Sequence, residues 1–596
     1  MSYPKLQQSG GTRQLIDAFA GYNHKLKISD GEWYDTENLT TQHFPLFANR
    51  GKRGVISGIS GLGTVTPFTK LQGIIAKGSL CWVDNGTMYV NGAATGLTGL
   101  QTTKETQLVS MGAYVCVFPD KKYINTAKLT DYGDMGAAWT YEGSVTYSMC
   151  HADGTIYTSV TESASAPENP DGGDIWVDPT DDTVREYSVY SEEWVILETV
   201  YTRLDFQTMG QVPAAFQEMD GVNVSGCYNE DLNGSKIIYA LGGSGSETDW
   251  IVLVGIQGES VTQSDAQISV SRKVPDMDFV CEAQNRLWGC FYGNDGTQNI
   301  NEIYCCALGD FRNWEQYLGV STDSWRASRG SDGPWTGCVN YLGSPTFFKE
   351  NVIHPISVSS QGAHQIDDLP ARGVQKGSHK SLAIVNETLY YKARTGIVAY
   401  QGGMPADVSQ ALGDELYYEA AAGVFGQRYY VSMRNADNEW NLFCYDAQKG
   451  IWVREDSLHA GMFTTLGDEI YAMVGNTIVA LNGTEGVKED HVDWGAVSGI
   501  MHYDQRVSGR GSVNVRYVSH YNLRLSMAKD AMMRMYIEYD SSGVWTPAGE
   551  VRVKDTGIVT LPVRPRRCDH LRIKLEGRGD VRIYSIARVL AKGSDA

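Results

Sequence analysis

Asn285-Arg286-Leu287-Trp288-Gly289-Cys290 is an aromatic, β-prone run that starts in one polar turn and leads toward another. The phrase returns as Pro345-Thr346-Phe347-Phe348-Lys349, Thr388-Leu389-Tyr390-Tyr391, Arg428-Tyr429-Tyr430-Val431 and Glu469-Ile470-Tyr471-Ala472. The last four copies lie about forty residues apart, the period of a four-stranded propeller blade rather than of a helical repeat. Most copies are followed by a second aromatic or aliphatic strand. Trp440 to Tyr445 leads to Trp452 beyond the turn Asp446-Ala447-Gln448-Lys449-Gly450, and Ile303-Tyr304 leads to Trp314 beyond Gly309-Asp310. The repeat predicts an all-β chain built on a β-propeller of about six to seven blades.

Composition agrees with that class. Of 596 residues, 42% are hydrophobic and only 20% are charged, which describes a folded chain. Such a length exceeds one hydrophobic core, so two to four folding units are expected. Tyr (34) outnumbers Phe (15) and Gly reaches 65, a bias toward half-buried strands and tight turns. Long amphipathic stretches are nearly absent; Val408 to Tyr418 is the best helix candidate. The net charge of −20 argues against an electrostatic grip on nucleic acid, which needs clustered Lys and Arg. It is compatible with DNA passing without sticking. Met1 to Gln14 carries no apolar leader and no window has the apolar length of a membrane span, so a cytoplasmically made chain is expected. Eleven cysteines, mostly inside apolar runs (Cys81, Cys116, Cys290, Cys444), suit buried thiols better than a disulfide framework.

Five segments follow from the spacing. Residues 1–50 read as an extended N-terminal arm, with Pro45 blocking a helix, and 51–139 as the first propeller blades, beginning at Gly54 to Ser60. Over 140–270 the forty-residue rhythm is lost, and Tyr/Trp-rich hairpins around Ala166-Pro167-Glu168-Asn169-Pro170-Asp171-Gly172-Gly173 predict an inserted β-hairpin module. The remaining blades fill 271–488. In 489–596, Leu523-Arg524-Leu525, Met533-Arg534-Met535-Tyr536-Ile537-Glu538 and Leu571-Arg572-Ile573-Lys574-Leu575 largely alternate apolar with polar residues, which predicts a C-terminal β-sandwich.

No motif of catalysis stands out. Gly-x-Ser-x-Gly, His-Glu-x-x-His and the phosphate-binding loop are missing from the sequence. His354 and His364 share a loop region without metal-ligand spacing. Cys568-Asp569-His570 reads as the start of a strand, with Cys568 and His570 on one face and Asp569 on the other, and Cys305-Cys306 as a strand pair whose side chains diverge. Ser331-Asp332-Gly333-Pro334-Trp335 is a faint, single likeness of the sialidase Asp-box and reads as a capped turn. Arg578-Gly579-Asp580 reads as a hairpin. Glycosidase chemistry needs two carboxylates at a set separation, and seventy Asp and Glu residues leave such a pair unmarked. No catalytic, metal or cofactor residue is assigned. The basic clusters Arg50-Gly51-Lys52-Arg53 and Arg564-Pro565-Arg566-Arg567 are too small to hold DNA, so Arg50, Lys52, Arg53, Arg564, Arg566 and Arg567 are expected to contact a subunit or adaptor.

Several phrases resemble virion proteins of tailed phages and prophages. They are Asp30-Gly31-Glu32-Trp33-Tyr34-Asp35 with Asn38-Leu39, Phe44-Pro45-Leu46 and Arg50-Gly51-Lys52-Arg53; Glu302-Ile303-Tyr304 with Leu308-Gly309-Asp310-Phe311-Arg312-Asn313-Trp314; Ser321-Thr322-Asp323-Ser324-Trp325; and Pro565-Arg566-Arg567-Cys568-Asp569-His570. The resemblance is to the tail hub or nozzle β-propellers of short-tailed phages. It implies a structural virion protein without enzymatic activity or cofactor. Copies would close a ring, a hexamer, below the head-to-tail adaptor or portal proteins, with tail fibre or spike proteins as neighbours. DNA would leave through the centre without specific binding. The alternative is a glycan-binding or glycan-cleaving propeller used in host attachment, with loop tryptophans Trp176, Trp194 and Trp335 stacking on sugars.

Overall fold

The computed structural model describes residues 12–61, 64–243, 247–294, 296–359, 363–502, 516–552, 556–564, 566, 568 and 570–592. Its inner hairpins show why the repeated phrase folds as it does. Ala283 and Arg286, Tyr341 and Ser344, and Val385 and Thr388 are strand partners across two-residue turns. Both turn residues have positive φ in each case: Gln284 58° and Asn285 56°, Leu342 49° and Gly343 86°, Asn386 47° and Glu387 63°. That is the mirror-image turn whose twist matches paired strands.

Seven antiparallel blade sheets follow among the described residues, six of four strands and the last of five. Their inner strands are Leu71–Lys77, Gln107–Met111, Phe279–Ala283, Gly337–Tyr341, Ala383–Val385, Tyr417–Phe425 and Met462–Leu466, here blades one to seven. Each is followed by two further strands and a short outer one. Apolar layers lie between successive blades, for example Cys116, Phe118, Leu287 and Trp314 between blades two and three. Phe68, Leu71, Ile74, Tyr471 and Ile478 lie between blade seven and blade one. The ring of sheets therefore closes, as the blade period predicts.

Closure uses the opposite end of the chain. The fourth strand of blade seven is Gly54–Ile56, which pairs with Thr477–Ala480 through Val55 and Val479. The sequence reading assigned this stretch to the first blades. Its partner lies more than four hundred residues away, and local pattern carries no sign of that. The helix expected over Val408 to Tyr418 is also absent: a 3-10 turn spans Gln410–Leu412 and a strand begins at Tyr417.

Between blades two and three the chain leaves the ring. Ala137–Cys150 and Val261–Arg272 form the central pair of a seven-stranded sheet, and a separate four-stranded sheet contains Ile175–Asp178, Thr183–Ser188 and Glu193–Ile196. This insertion has its own apolar core, including Tyr147, Leu204, Phe206, Val222 and Ile268. Arg272 and Asp220 make a buried ion pair at its base.

The terminal unit is a sandwich of two sheets. Val581–Lys592 and Arg516–Met527 are central in one, and His570–Arg578 with Met532–Tyr539 in the other. The segment read as an N-terminal arm is not a free extension over residues 12–48. Thr12–Ile16 and Phe47–Ala48 pair with Val581–Lys592, and Glu32–Glu37 pairs with Asp493–Ser498. Trp33, Phe19 and Phe47 enter the sandwich core, which explains why so polar a stretch carries these rings. Arg578, Gly579 and Asp580 do form a tight connection between two strands, but His570–Arg578 and Val581–Lys592 pair in opposite sheets of the sandwich, so the expected hairpin is instead a crossing from one sheet to the other. Among the described residues no helix is long and apolar enough to cross a membrane.

Candidate active site between the second and third blades

Where the insertion leaves and rejoins the ring, blades two and three part at their outer edge. The resulting cleft has a volume of about 910 Å³. Its walls follow from strand alternation. On Asn299–Cys305 the residues Ile300, Glu302 and Tyr304 face the cleft, while Ile303 and Cys305 enter the core shared with blade four. Glu302 is the register partner of Ser328, and Tyr304 of Arg326, so these four side chains form one patch. Asp120, Lys121 and Asp134 come from blade two, and Lys273 to Asp276 from the segment that follows the strand Val261–Arg272 out of the insertion.

The remaining wall is the loop joining the last two strands of blade three, which carries Trp314, Glu315 and Tyr317. Side chains hold it in place. Arg286 donates to the carbonyls of Cys306 (2.8 Å), Asp323 (2.6 Å) and Ser321 (2.6 Å). Asp323 accepts the N–H groups of Gly319 and Val320 at 2.6 and 3.1 Å. The insertion braces the loop from outside. Asn313 donates to Met219 O at 2.7 Å and accepts from Gly221 N–H at 3.0 Å. A Cβ on Gly221 would fall 2.3 Å from the backbone of Glu315, so only glycine permits this approach.

The Glu315 carboxyl is the unusual group of the cleft. Its Oε2 is buried without a hydrogen-bond partner among the described residues. Burial pushes its pKa above the ordinary glutamate value, against the opposing pull of Lys273 and Arg326. Burial likewise raises the Tyr304 phenol, with Glu302 adding to the effect, and raises that of Tyr317. Asp276 is held by Lys121 at 2.7 Å. A carboxyl with a raised pKa that shares a cleft with a second carboxyl, Glu302, is an arrangement that can supply an acid and a base to an acetal.

The residues assigned from sequence lie elsewhere. Arg53 is buried in an ion-pair network with Glu455 at 2.5 Å and with Asp456, and Arg50 binds Glu489 at 2.7 Å. These two arginines face inward because they anchor the closing strand, and neither is an exposed contact. Lys52 is exposed, with its ammonium on Asp490 O at 2.6 Å. Arg564 and Arg566 are exposed, Arg566 at 5.1 Å from the Tyr539 ring centre; Arg567 and Asp569 lie outside the described residues. Trp335, expected as a sugar platform, is buried at 3% exposure. Trp176 and Trp194 do share an accessible face: their rings pack edge to face at 5.6 Å, Tyr187 adjoins Trp194, and Arg185 covers Trp176 at 4.6 Å. His364 packs edge-on against Trp288 and Trp325. Sequence reasoning missed Glu315, although it follows directly on the quoted phrase ending at Trp314. One acid among seventy carries no mark until the fold buries it.

No family model matches this chain, and no curated protein does. Among solved structures it is similar to an exo-β-1,3-galactanase of Phanerochaete chrysosporium with galactose, at TM-score 0.21 and 9% identity, over 51% of this chain and 95% of that one. The endosialidase of phage phi92 aligns at TM-score 0.20 and 11% identity, over 91% and 75%. A Trypanosoma rangeli sialidase in complex with sialic acid aligns at TM-score 0.22 and 9% identity, over 90% and 94%. The expectation of a chain without enzymatic activity is corrected here, since the structures it resembles are a galactanase, an endosialidase and a sialidase. At such remoteness no residue's role is carried across.

Proposed function

We propose that this protein is a phage tail component that binds and cleaves a host-surface glycan in the cleft between blades two and three. The observation that supports the reading is Glu315, a carboxyl with an unpartnered buried oxygen that opens on a cleft containing Glu302, Tyr304, Tyr317 and Arg326. In this reading Glu315 gives its proton to the leaving glycosidic oxygen, and Glu302 acts as the partner carboxylate. The aromatic face of Trp176, Tyr187 and Trp194 on the insertion serves as a separate surface on which sugar rings stack.

The test uses purified full-length protein and a panel of bacterial surface polysaccharides. New reducing ends should appear with at least one polymer, and Glu315→Gln should lower the rate by at least about 100-fold while binding persists. Absence of both binding and cleavage across the panel defeats the reading.

A second reading concerns assembly. The net charge of −20 suits the wall of a conduit that releases DNA, and the exposed Arg564, Arg566 and Lys52 offer cationic contacts to an acidic neighbour. On this reading copies form a ring, a hexamer, below the head-to-tail adaptor or portal proteins, with fibre or spike proteins attached. Light scattering decides it: a monomer at virion-like ionic strength excludes a self-assembling ring.

A further inference from the structure

The inner strand of each blade begins, and its outer strand ends, on one common face of the propeller. On that face, at blade four, three side chains meet that the cleft does not use. Ser331 lies on the connection from blade three to blade four. His354 stands near the start of the third strand of blade four, Ile353–Val358, and Asp368 follows its outer strand, His364–Ile366. Ser331 Oγ is 3.3 Å from His354 Nε2, and His354 Nδ1 is 2.7 Å from Asp368 Oδ1.

The carboxylate at Nδ1 assigns the tautomer: Nδ1 carries the hydrogen, and Nε2 turns its lone pair to the serine hydroxyl. Burial pushes His354 below its ordinary pKa despite Asp368, which keeps the ring neutral and able to accept a proton. Asp368 also pairs with Arg329. Trp335 sets its ring against the imidazole at 5.3 Å and 69°, and its own N–H is fixed on Phe291 O at 3.2 Å. The backbone of Ser331 is gripped from two sides. Lys349 Nζ donates to its carbonyl at 2.6 Å, and Asn301 Nδ2 to the same oxygen at 2.9 Å. Asp332 and Gly333, which follow it, donate no backbone hydrogen bond among the described residues. Two N–H groups that follow Ser331 in sequence are thus left to serve an oxyanion.

We infer that Ser331, His354 and Asp368 are the nucleophile, base and orienting acid of a second hydrolytic site, which cleaves small acyl esters borne on a glycan. Only the identity of the carrier rests on the reading of the cleft. Alternation along Asn299–Cys305 places the two sites on opposite sides of one strand, with Glu302 and Tyr304 toward the cleft and Asn301 toward Ser331. An acylated glycan lying over this rim meets both.

In the reaction Ser331 Oγ forms a bond to the acyl carbon while its proton passes to His354 Nε2. The ester C–O bond then breaks as His354 returns that proton to the departing sugar hydroxyl. Water, deprotonated by His354 in turn, attacks the acyl-serine, releasing the carboxylic acid and restoring the hydroxyl.

The test probe is 4-nitrophenyl acetate, which contains no sugar, so failure here is distinct from failure of the glycan reading. The full-length protein should hydrolyse it and should take up a fluorophosphonate on Ser331, located by peptide mass spectrometry. Ser331→Ala should abolish the label and lower hydrolysis at least about 100-fold, with Asp368→Asn also slowed. A parent protein that hydrolyses the ester no faster than Ser331→Ala, or that carries the label elsewhere, overturns the inference. Should Ser331→Ala melt early, labelling of the parent alone decides: Ser331 is modified, or the site does not exist.

Discussion

Arg53 and the Oε2 atom of Glu315 are both taken out of water, with opposite provision for their charge. Arg53 has carboxylates on it, so the cost of burying it is offset by Glu455 and Asp456. Removing it strands Glu455, which is 5% exposed, and Arg53→Ala should destabilise the fold by about 3–5 kcal/mol in denaturant titration. Glu315 has no such partner at Oε2, and its folded pKa is raised. For a raised carboxyl the sign is clear. Its stabilising share is complete below the unfolded glutamate value and is lost as pH rises through the folded one. Glycan cleavage should fall over the same rise, because the acid form is the active one. Glu315→Gln should therefore remove activity yet flatten the stability profile, making the variant more stable than the parent at alkaline pH; thermal melts at several pH values check this. Neither residue's state was legible in sequence. Arg53 sits in a basic cluster that reads as a surface contact, and Glu315 beside a motif whose aromatic residues attract attention first. Charge in a sequence does not say where its partner is, and for Arg53 the partners lie about four hundred residues away.

Elements were more legible, because strands declare themselves by local pattern. The runs around Trp288, Tyr390, Tyr430 and Tyr471 are all second strands of blades. What local pattern does not reveal is which sheet a strand joins. Gly54–Ile56 has the short apolar character of any blade strand, and only its pairing with Thr477–Ala480 on one side and Val487–Lys488 on the other makes it the clasp of the ring. A Cβ on Gly54 would lie 1.7 Å from Glu485 O, so the strand is seated closely. Val55 pairs on both sides and cannot lose its N–H without breaking a ladder. Val55→Pro should cost about 3 kcal/mol or more. Hydrogen exchange should locate the loosening at the seam between blades seven and one, leaving blades three to five protected. Uniform loss of protection would mean that the clasp is not a local fastening. The helix expected near Val408 failed for a related reason: its last residues, Tyr417 and Tyr418, belong to an inner strand, and Tyr417 packs on blade five.

At the scale of the molecule, the apolar clusters show which parts stand or fall together. One continuous core joins Tyr430, Leu442, Ile470 and Val479 of blades six and seven to Trp33, Trp494, Leu523 and Ile573 of the terminal sandwich. Propeller and sandwich should therefore unfold as one unit. The insertion has its own core and meets the ring through the loop of blade three and through its two connecting strands. Those strands are partners at Ala137 and Arg272, a pair separated by about 4.5–5.5 Å, so a two-residue Asn-Gly turn can replace residues 138–271. The shortened protein should keep the melting transition of the propeller and sandwich, while calorimetry of the parent should show a further transition that the deletion removes. Glycan cleavage should vanish from it all the same, because Gly221 and the Asn313 hydrogen bonds that seat Glu315 leave with the insertion. Ester hydrolysis at Ser331 should persist, since its supports, Lys349, Asn301 and Trp335, all belong to blades three and four. A deletion protein that fails to fold would place the insertion inside the main cooperative unit. One that still cleaves glycan would move the chemistry out of this cleft.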